Sequence, residues 1–155
     1  MESGEPTESQ GLHVLVMEDD ENDVLLLKRA FKKLQFDCPM YRVRDGEEGI
    51  AYLSGEGKFA NRDEFPYPAV ILMDLKMPKK SGFEVLKWLK DHPICKVTPV
   101  IIFSSSAQED DVRRAYELGA GGYFLKPHDF TELLELLTLF RQYWCKAQKP
   151  PVASC

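Results

Sequence analysis

The sequence predicts an α/β fold in which five parallel strands form one sheet with helices on both faces. Short apolar runs alternate with segments of helical spacing five times along the chain, which is typical of a doubly wound sheet. Two of the runs, AVILM at 69–73 and PVIIF at 99–103, are apolar throughout, as expected for strands buried on both faces. The length of 155 residues is that of one domain.

The five predicted strands are residues 12–17, 40–43, 69–73, 99–103 and 123–125. The run at 40–43 has the weakest strand pattern of the five.

Helical spacing of apolar residues predicts a helix after each strand. The first carries Val24, Leu27, Phe31 and Leu34, and Asp45 opens the second. The other three are predicted at 82–91, at 107–118 with Gly119 as the stop, and at 130–144. Capping signals at the three-residue offset mark the starts of these three helices: Ser81 with Glu84, Ser106 with Glu109, and Asp129 with Glu132.

The remaining segments fit no regular element. The charged and aromatic connection at 55–68 is predicted to be an irregular loop on the surface. Residues 1–10 are predicted to be a disordered lead and residues 148–155 a flexible tail, so the folded domain is expected to span 11–147.

Composition disfavours several functional classes. The net charge of -5 without a basic block argues against nucleic acid and against an anionic membrane surface as partners. The sequence has no signal-peptide pattern and no apolar run of membrane-spanning length. Its four cysteines lack C-x-x-C spacing, which disfavours a zinc site. We expect them to be free thiols in a reducing cytoplasm.

Polar residues follow the predicted strands at the edge where an open parallel sheet binds its ligands. Acidic residues at 18–20 follow the first strand, Asp74 the third, Ser104 the fourth and Lys126 the fifth. Taken singly, each has an ordinary explanation: the first acids can flank a helix N-terminus, Ser104 can be a strand-end serine, and Lys126 can be a surface lysine before a turn proline. As an ordered set they predict a site.

Several carboxylates on one edge repel one another and need a cation. Oxygen ligands with no competing histidine or cysteine select a hard ion, and Mg²⁺ is the expected cofactor. A carboxylate beside Mg²⁺ can act as a nucleophile toward phosphorus, and Lys126 can offset charge on the transferring phosphoryl group.

The segments VMEDD, ILMDLKMPKKSG, IIFSS and YFLKP resemble the receiver domain of two-component response regulators, and the similarity runs over residues 12–144. The resemblance implies a flavodoxin-like fold with strand order 2-1-3-4-5. Within the family, the long 55–68 connection and the DLKMP segment are most similar to single-domain regulators paired with phytochrome kinases. Single-domain relatives with other kinase partners share these features.

The resemblance also implies a role for each matching residue. Asp74 would be the phosphoacceptor, with Asp19 as a direct metal ligand, Glu18 binding the metal through water and Lys76 contributing its backbone carbonyl. Ser104 and Lys126 would contact the phosphoryl group, and Ser104 and Tyr123 would form the switch. Asp20 matches no family position and would only flank the helix. The Lys126–Pro127 bond is expected to be cis. For Tyr123 the alternative is an ordinary core residue at the sheet edge.

These roles imply a signalling module rather than an enzyme. A histidine kinase would phosphorylate Asp74, and with no output domain in the sequence the signal would pass to a downstream protein partner. Two alternatives are a phosphohydrolase and a scaffold that is not phosphorylated. Aspartate-nucleophile phosphohydrolases need a second aspartate two residues on, where this chain has Lys76. A receiver-like scaffold that is not phosphorylated usually lacks part of the acidic set, which is complete here.

The pattern of apolar residues on the last helix predicts a homodimer that forms through this helix. Its inward stripe can be formed by five residues, which leaves Leu136, Leu139 and Tyr143 on a flank that the sheet should not cover. The stripe residues are Phe130, Leu133, Leu134, Leu137 and Phe140. The alternative is that this flank packs within the chain, against the fourth helix or the tail.

Overall fold

The computed structural model describes residues 13–150 and contains the predicted alternation of strands and helices. The elements are β1 (Val14–Met17), α1 (Glu21–Lys33), β2 (Met40–Val43), α2 (Gly46–Ser54), β3 (Val70–Met73), α3 (Gly82–Asp91), β4 (Val100–Ser104), α4 (Glu109–Glu117), β5 (Gly122–Leu125) and α5 (Phe130–Lys146). All strand pairs are parallel and the order is β2-β1-β3-β4-β5, which confirms the flavodoxin-like fold.

Alternate strand residues feed two separate cores, because successive side chains of a strand point to opposite faces. On one face, Leu15 and Ile71 pack with residues of α2, α3 and α4. On the other, Val16 and Leu72 pack with residues of α1 and α5. Both faces are therefore covered, which explains why the strand runs are apolar throughout.

The strand register determines which side chains meet at the edge of the sheet. Met17 of β1 pairs with Met73 of β3, so Glu18 and Asp74 are the next residues on neighbouring strands. Ser104 is the last residue of β4 rather than the first after it, and it pairs with Leu125 directly before Lys126. The carboxyl ends of β1, β3, β4 and β5 thus bring their polar residues to one edge.

Two of the three predicted capping signals are present. The Ser81 side chain accepts the Glu84 N–H and the Glu84 carboxylate accepts the Ser81 N–H. Asp129 accepts the Glu132 N–H.

The predicted capping signal at Ser106 does not mark the start of a helix. Helix α4 begins at Glu109 after Gln108, which caps it without a side-chain bond. The Ser106 hydroxyl donates instead to the Asp111 carboxylate at 2.6 Å. The predicted start at residue 107 is therefore two residues early.

The connection at 55–68 is partly regular and partly buried, contrary to the prediction. It contains a short 3-10 helix, Gly57–Ala60, and the aromatic side chains of Phe59 and Tyr67 are in the core. Arg62 donates to the carbonyls of Tyr52 and Leu53 at the end of α2. Burial of the aromatic rings and these bonds to the helix end hold the connection against the domain.

The predictions for the two tails and for the four cysteines can be compared with the structure only within residues 13–150. Residues 1–12 and 151–155, which include most of the predicted lead and tail, lie outside the described residues. Cys38 is a free thiol, but Cys95 is disulfide-bonded, so the prediction of four free thiols is wrong for Cys95. Within the described range 13–150, no helix combines the length and apolarity that crossing a membrane requires.

Candidate functional site

Three carboxylates meet at the carboxyl ends of β1 and β3. One oxygen each from Glu18, Asp19 and Asp74 lies within 4.8 Å of the others. Glu18 and Asp74 are buried, whereas Asp19 is exposed at the mouth of the group. An all-oxygen donor set of this kind, open to solvent on one side, fits a hard divalent ion such as Mg²⁺. The residues predicted as side-chain metal ligands are thus brought together.

The environment of Glu18 disfavours its negative charge. Burial raises the pKa of Glu18 to about 7, although the Asp20 N–H, which donates to its carboxylate at 3.1 Å, opposes this. The nearby charge of Asp74 raises it further. A divalent ion placed among these carboxylates would remove this penalty, which is a second reason why the site fits a cation.

Lys126 neutralises part of the acidic group. Its ammonium lies 2.8 Å from Asp74 Oδ2, 3.1 Å from Glu18 Oε2 and 2.7 Å from Asp23 Oδ2. Burial alone would lower the pKa of Lys126, but hydrogen bonds to Asp23 and Asp74 raise it overall, so the ammonium stays charged. Its backbone N–H donates to the Ser104 carbonyl, which fixes the end of β5 beside β4.

Asp23 is a site residue that the sequence reasoning missed. It lies in the first turn of α1, and its carboxylate accepts a hydrogen bond from the Lys126 ammonium at 2.7 Å. No sequence signal marked it out, because an acidic residue in the first turn of a helix is ordinary and its pairing with Lys126 spans 103 positions. Asp20, in contrast, accepts the N–H groups of Asn22 and Asp23 as the helix cap, in agreement with the flanking position predicted for it.

The loop after β3 contacts the Asp74 carboxylate through a backbone N–H group. The Lys76 N–H donates to Asp74 Oδ1 at 3.3 Å, and the Lys76 side chain is exposed. Gly82 at the start of α3 lies close to this strand end, because a Cβ there would be 2.6 Å from the Asp74 carbonyl oxygen and 2.8 Å from Leu75 Cα. The glycine of the DLKMPKKSG segment is therefore required by the close approach of α3.

Ser104 and Tyr123 are connected through the loop after β4. The buried Ser104 hydroxyl accepts the Ser106 N–H at 3.1 Å, and the Tyr123 hydroxyl donates to the Ser106 carbonyl at 2.7 Å. Ser106 therefore links the two residues predicted as the switch. The half-buried Tyr123 ring packs at the margin of the core, so the ordinary core interpretation describes its ring but not its hydroxyl.

One prediction about this edge is wrong. The Lys126–Pro127 bond was expected to be cis, but the structure contains no cis peptide bond within the described residues, and this bond is trans.

Comparison with known proteins agrees with this geometry. The family described as response regulator receiver domain matches residues 14–138. Response regulator Rcp1 of Synechocystis sp. is 33% identical over 140 residues, which cover 90% of this chain and 93% of Rcp1. The Mn²⁺-bound structure of Rcp1 superposes with a TM-score of 0.79 at 31% identity, covering 90% and 99% of the two chains.

Two further solved structures have higher TM-scores. Response regulator RPA3017, from red light signalling in R. palustris, has a TM-score of 0.85 at 31% identity, covering 90% of this chain and 98% of its own. The phosphorylated cyanobacterial phytochrome response regulator RcpA has a TM-score of 0.82 at 34% identity, with the same coverage. The fold, the residues at the sheet edge and these matches together show that the chain belongs to the response regulator receiver domain family.

Proposed function

We propose that this chain accepts a phosphoryl group from a histidine kinase onto Asp74 in a Mg²⁺-dependent reaction, and signals through altered protein contacts. The convergence of groups around Asp74 carries this proposal. Asp74 is buried, lies with two further carboxylates inside a 4.8 Å group and has an ammonium 2.8 Å from one of its oxygens. These distances support the proposal that Asp74 is the nucleophile, that the three carboxylates hold the cation and that Lys126 binds the phosphoryl group.

In this proposal Asp19 and Asp74 bind the metal directly, Glu18 through water, and Lys76 through its backbone carbonyl. Mg²⁺, when bound, supplies charge neutralisation and orientation for the transferring phosphoryl group. The exposure of Asp19 supports this assignment, because the metal must be reached from solvent.

The transfer itself uses Asp74 and Lys126. A carboxylate oxygen of Asp74 attacks phosphorus in a phosphohistidine, and the N–P bond breaks with its electron pair returning to the imidazole. The Lys126 ammonium moves from Asp74 to the phosphoryl oxygens while Asp23 still holds it. Water later attacks phosphorus, which releases inorganic phosphate and restores the carboxylate.

The signal is proposed to pass through the loop after β4. The Ser104 hydroxyl is free to donate to a phosphoryl oxygen, since in this structure it acts as an acceptor from Ser106. A change at Ser104 would then reach Tyr123 through the Ser106 carbonyl. The phosphoryl group adds charge and acceptor oxygens that bias such a two-state element.

The kinase partner proposed is of the phytochrome type, and the location is the cytoplasm. The support is the similarity to RcpA, a phytochrome response regulator, and to RPA3017 of red light signalling. A downstream protein partner is proposed to read the phosphorylated state.

Homodimerisation through α5 is proposed as well. Leu139 and Tyr143 are 63% and 68% exposed. Leu136 is less exposed, being half-buried in the wall of a groove of about 580 Å³. The stripe of α5 packs inward as predicted, with Leu133 and Leu137 buried. Ala147 and Gln148 line this groove together with all three flank residues, but only Leu136 is substantially covered within the chain, so the alternative of intramolecular packing applies mainly to Leu136.

Incubation with phosphoramidate and Mg²⁺ separates the proposed function from its alternatives. We expect one phosphoryl group per chain by intact-mass spectrometry, and no labelling when EDTA replaces Mg²⁺. Rapid, continuous release of phosphate without an accumulated adduct would indicate a phosphohydrolase. An unlabelled protein that binds Mg²⁺ would indicate a scaffold and contradict the proposal.

A further inference from the structure

The turn after β1 carries two of the proposed metal ligands, and a single side chain from β2 holds its backbone. Arg42 Nε donates to the Glu18 carbonyl oxygen at 2.9 Å, and Nη2 donates to the Asp19 carbonyl oxygen at 3.3 Å. The third contact joins Nη1 to the Glu21 carboxylate at 2.9 Å, in the first turn of α1. One guanidinium therefore connects the end of β1 to the start of α1 across the whole turn.

Arg42 is built into the sheet rather than attached to its surface. It pairs with Val16 in the β1–β2 ladder, and its side chain is only 13% exposed. The planar guanidinium offers donors in a fixed fork, so the two carbonyls and the carboxylate cannot shift independently while all three bonds persist. The Asp20 side chain fixes the same turn from the helix side by capping α1.

We propose that Arg42 is a positioning residue for the cation site: it fixes the backbone of Glu18 and Asp19 so that their carboxylates face Asp74. This inference rests on the proposed binding of Mg²⁺ and adds a residue to it. Arg42 offers no ligand atom to a metal, and it acts through the backbone carbonyls of Glu18 and Asp19.

The inference can be tested because charge and geometry predict opposite effects. The positive charge of Arg42 repels a nearby cation, so on charge alone its removal would strengthen Mg²⁺ binding. If Arg42 positions the ligands, its removal weakens Mg²⁺ binding, since groups that orient metal ligands typically contribute about 10- to 100-fold in affinity. The direction of the change in affinity decides between them.

Arg44 provides the matched control. It lies two residues on from Arg42, and its guanidinium is 3.9 Å from the same Glu21 carboxylate, but its side chain is 71% exposed. None of the hydrogen bonds described for residues 13–150 joins Arg44 to the turn. Arg44→Met therefore removes the same charge from the same neighbourhood while the backbone contacts of Arg42 stay in place.

The experiment is calorimetric titration of Mg²⁺ into the full chain and three variants: Arg42→Met, Arg42→Lys and Arg44→Met. We expect Arg42→Met to bind Mg²⁺ about tenfold more weakly than the parent. Arg42→Lys, which keeps the charge but not the fork, should bind with intermediate affinity. Arg44→Met should bind at least as tightly as the parent. In metal-free protein, amide exchange at Asp19 and Asp20 should be faster in Arg42→Met than in the parent.

Mg²⁺ binding by Arg42→Met that equals or exceeds that of Arg44→Met would overturn the inference and leave only the charge effect. If Arg42→Met does not fold, as judged by circular dichroism, Arg42→Lys decides alone, and parental affinity in that variant overturns the inference. A parent chain that fails to bind Mg²⁺ would instead refute the proposed function, together with any role of Arg42 in it.

Discussion

At the scale of single residues, the site places more negative charge in the interior than one ammonium can offset. Lys126 is shared by Glu18, Asp23 and Asp74, and Glu18 is the most desolvated of the acids. The sequence allowed the prediction of Glu18, Asp74 and Lys126, because each directly follows an apolar run. It did not lead to Asp23 or Arg42, whose side chains reach the site from within a helix and a strand.

Glu18 should therefore destabilise the metal-free protein above neutral pH. Its pKa is raised from 4.5 to about 7 in the folded chain, so folding is favoured most below pH 4.5 and loses this contribution as the pH rises through 7. We expect Glu18→Gln to increase the free energy of unfolding by about 1–2 kcal/mol at pH 8 in EDTA, and to have little effect at pH 4.5. Urea unfolding at the two pH values measures this. A variant less stable than the parent at pH 8 would show that the carboxylate is stabilising.

At the scale of elements, helix caps could be predicted from local sequence, whereas features that depend on packing between elements could not. Ser81 and Asp129 cap their helices as the sequence indicated, because a cap depends on residues three positions apart. Ser106 carries the same signal, but its hydroxyl bonds to Asp111 and the helix starts later. The connection at 55–68 is predicted to be a surface loop because it has no regular pattern, and the sequence gives no sign that Phe59 packs on Tyr52 or that Tyr67 bonds to Thr98, 31 positions on.

The approach of α3 to β3 makes a prediction for Gly82. Alanine has the higher helix propensity, but its Cβ would meet the backbone of Asp74 and Leu75, which cannot move aside easily. We expect Gly82→Ala to lower the free energy of unfolding by about 1–3 kcal/mol. Gly121→Ala is the control, since its Cβ would meet only the Val100 carbonyl oxygen, at 3.4 Å. Thermal unfolding of both variants is the measurement, and equal melting temperatures would show that α3 does not press on the site.

At the scale of the whole molecule, the order of strands explains why one edge carries the chemistry. The parallel sheet brings residues separated by more than 100 positions, such as Asp23 and Lys126, within hydrogen-bonding distance. This topology could be predicted from the family resemblance, whereas the alternation of strands and helices alone gives only the fold class. The exposed residues of α5, Leu139 and Tyr143, are not among the residues of this site, so the proposed dimer is a separate question.

A substitution on the exposed flank of α5 tests the proposed dimer. Leu139→Glu should shift the chain toward the monomer in light scattering at micromolar concentration, because a charge would be buried at an apolar contact. Leu25→Glu is the control, since Leu25 is similarly exposed, at 55%, but lies on α1. A parent that is monomeric with and without beryllofluoride would contradict the proposal. A dimer that persists in Leu139→Glu would place the contact elsewhere.

The most direct test of the central claim is the mass of the chain after incubation with acetyl phosphate and Mg²⁺. The parent should gain one phosphoryl group, Asp74→Asn should gain none, and Asp20→Asn, which keeps a side chain able to cap α1, should be labelled like the parent. Labelling of Asp74→Asn to the parental level would contradict the assignment of Asp74 as the phosphoacceptor.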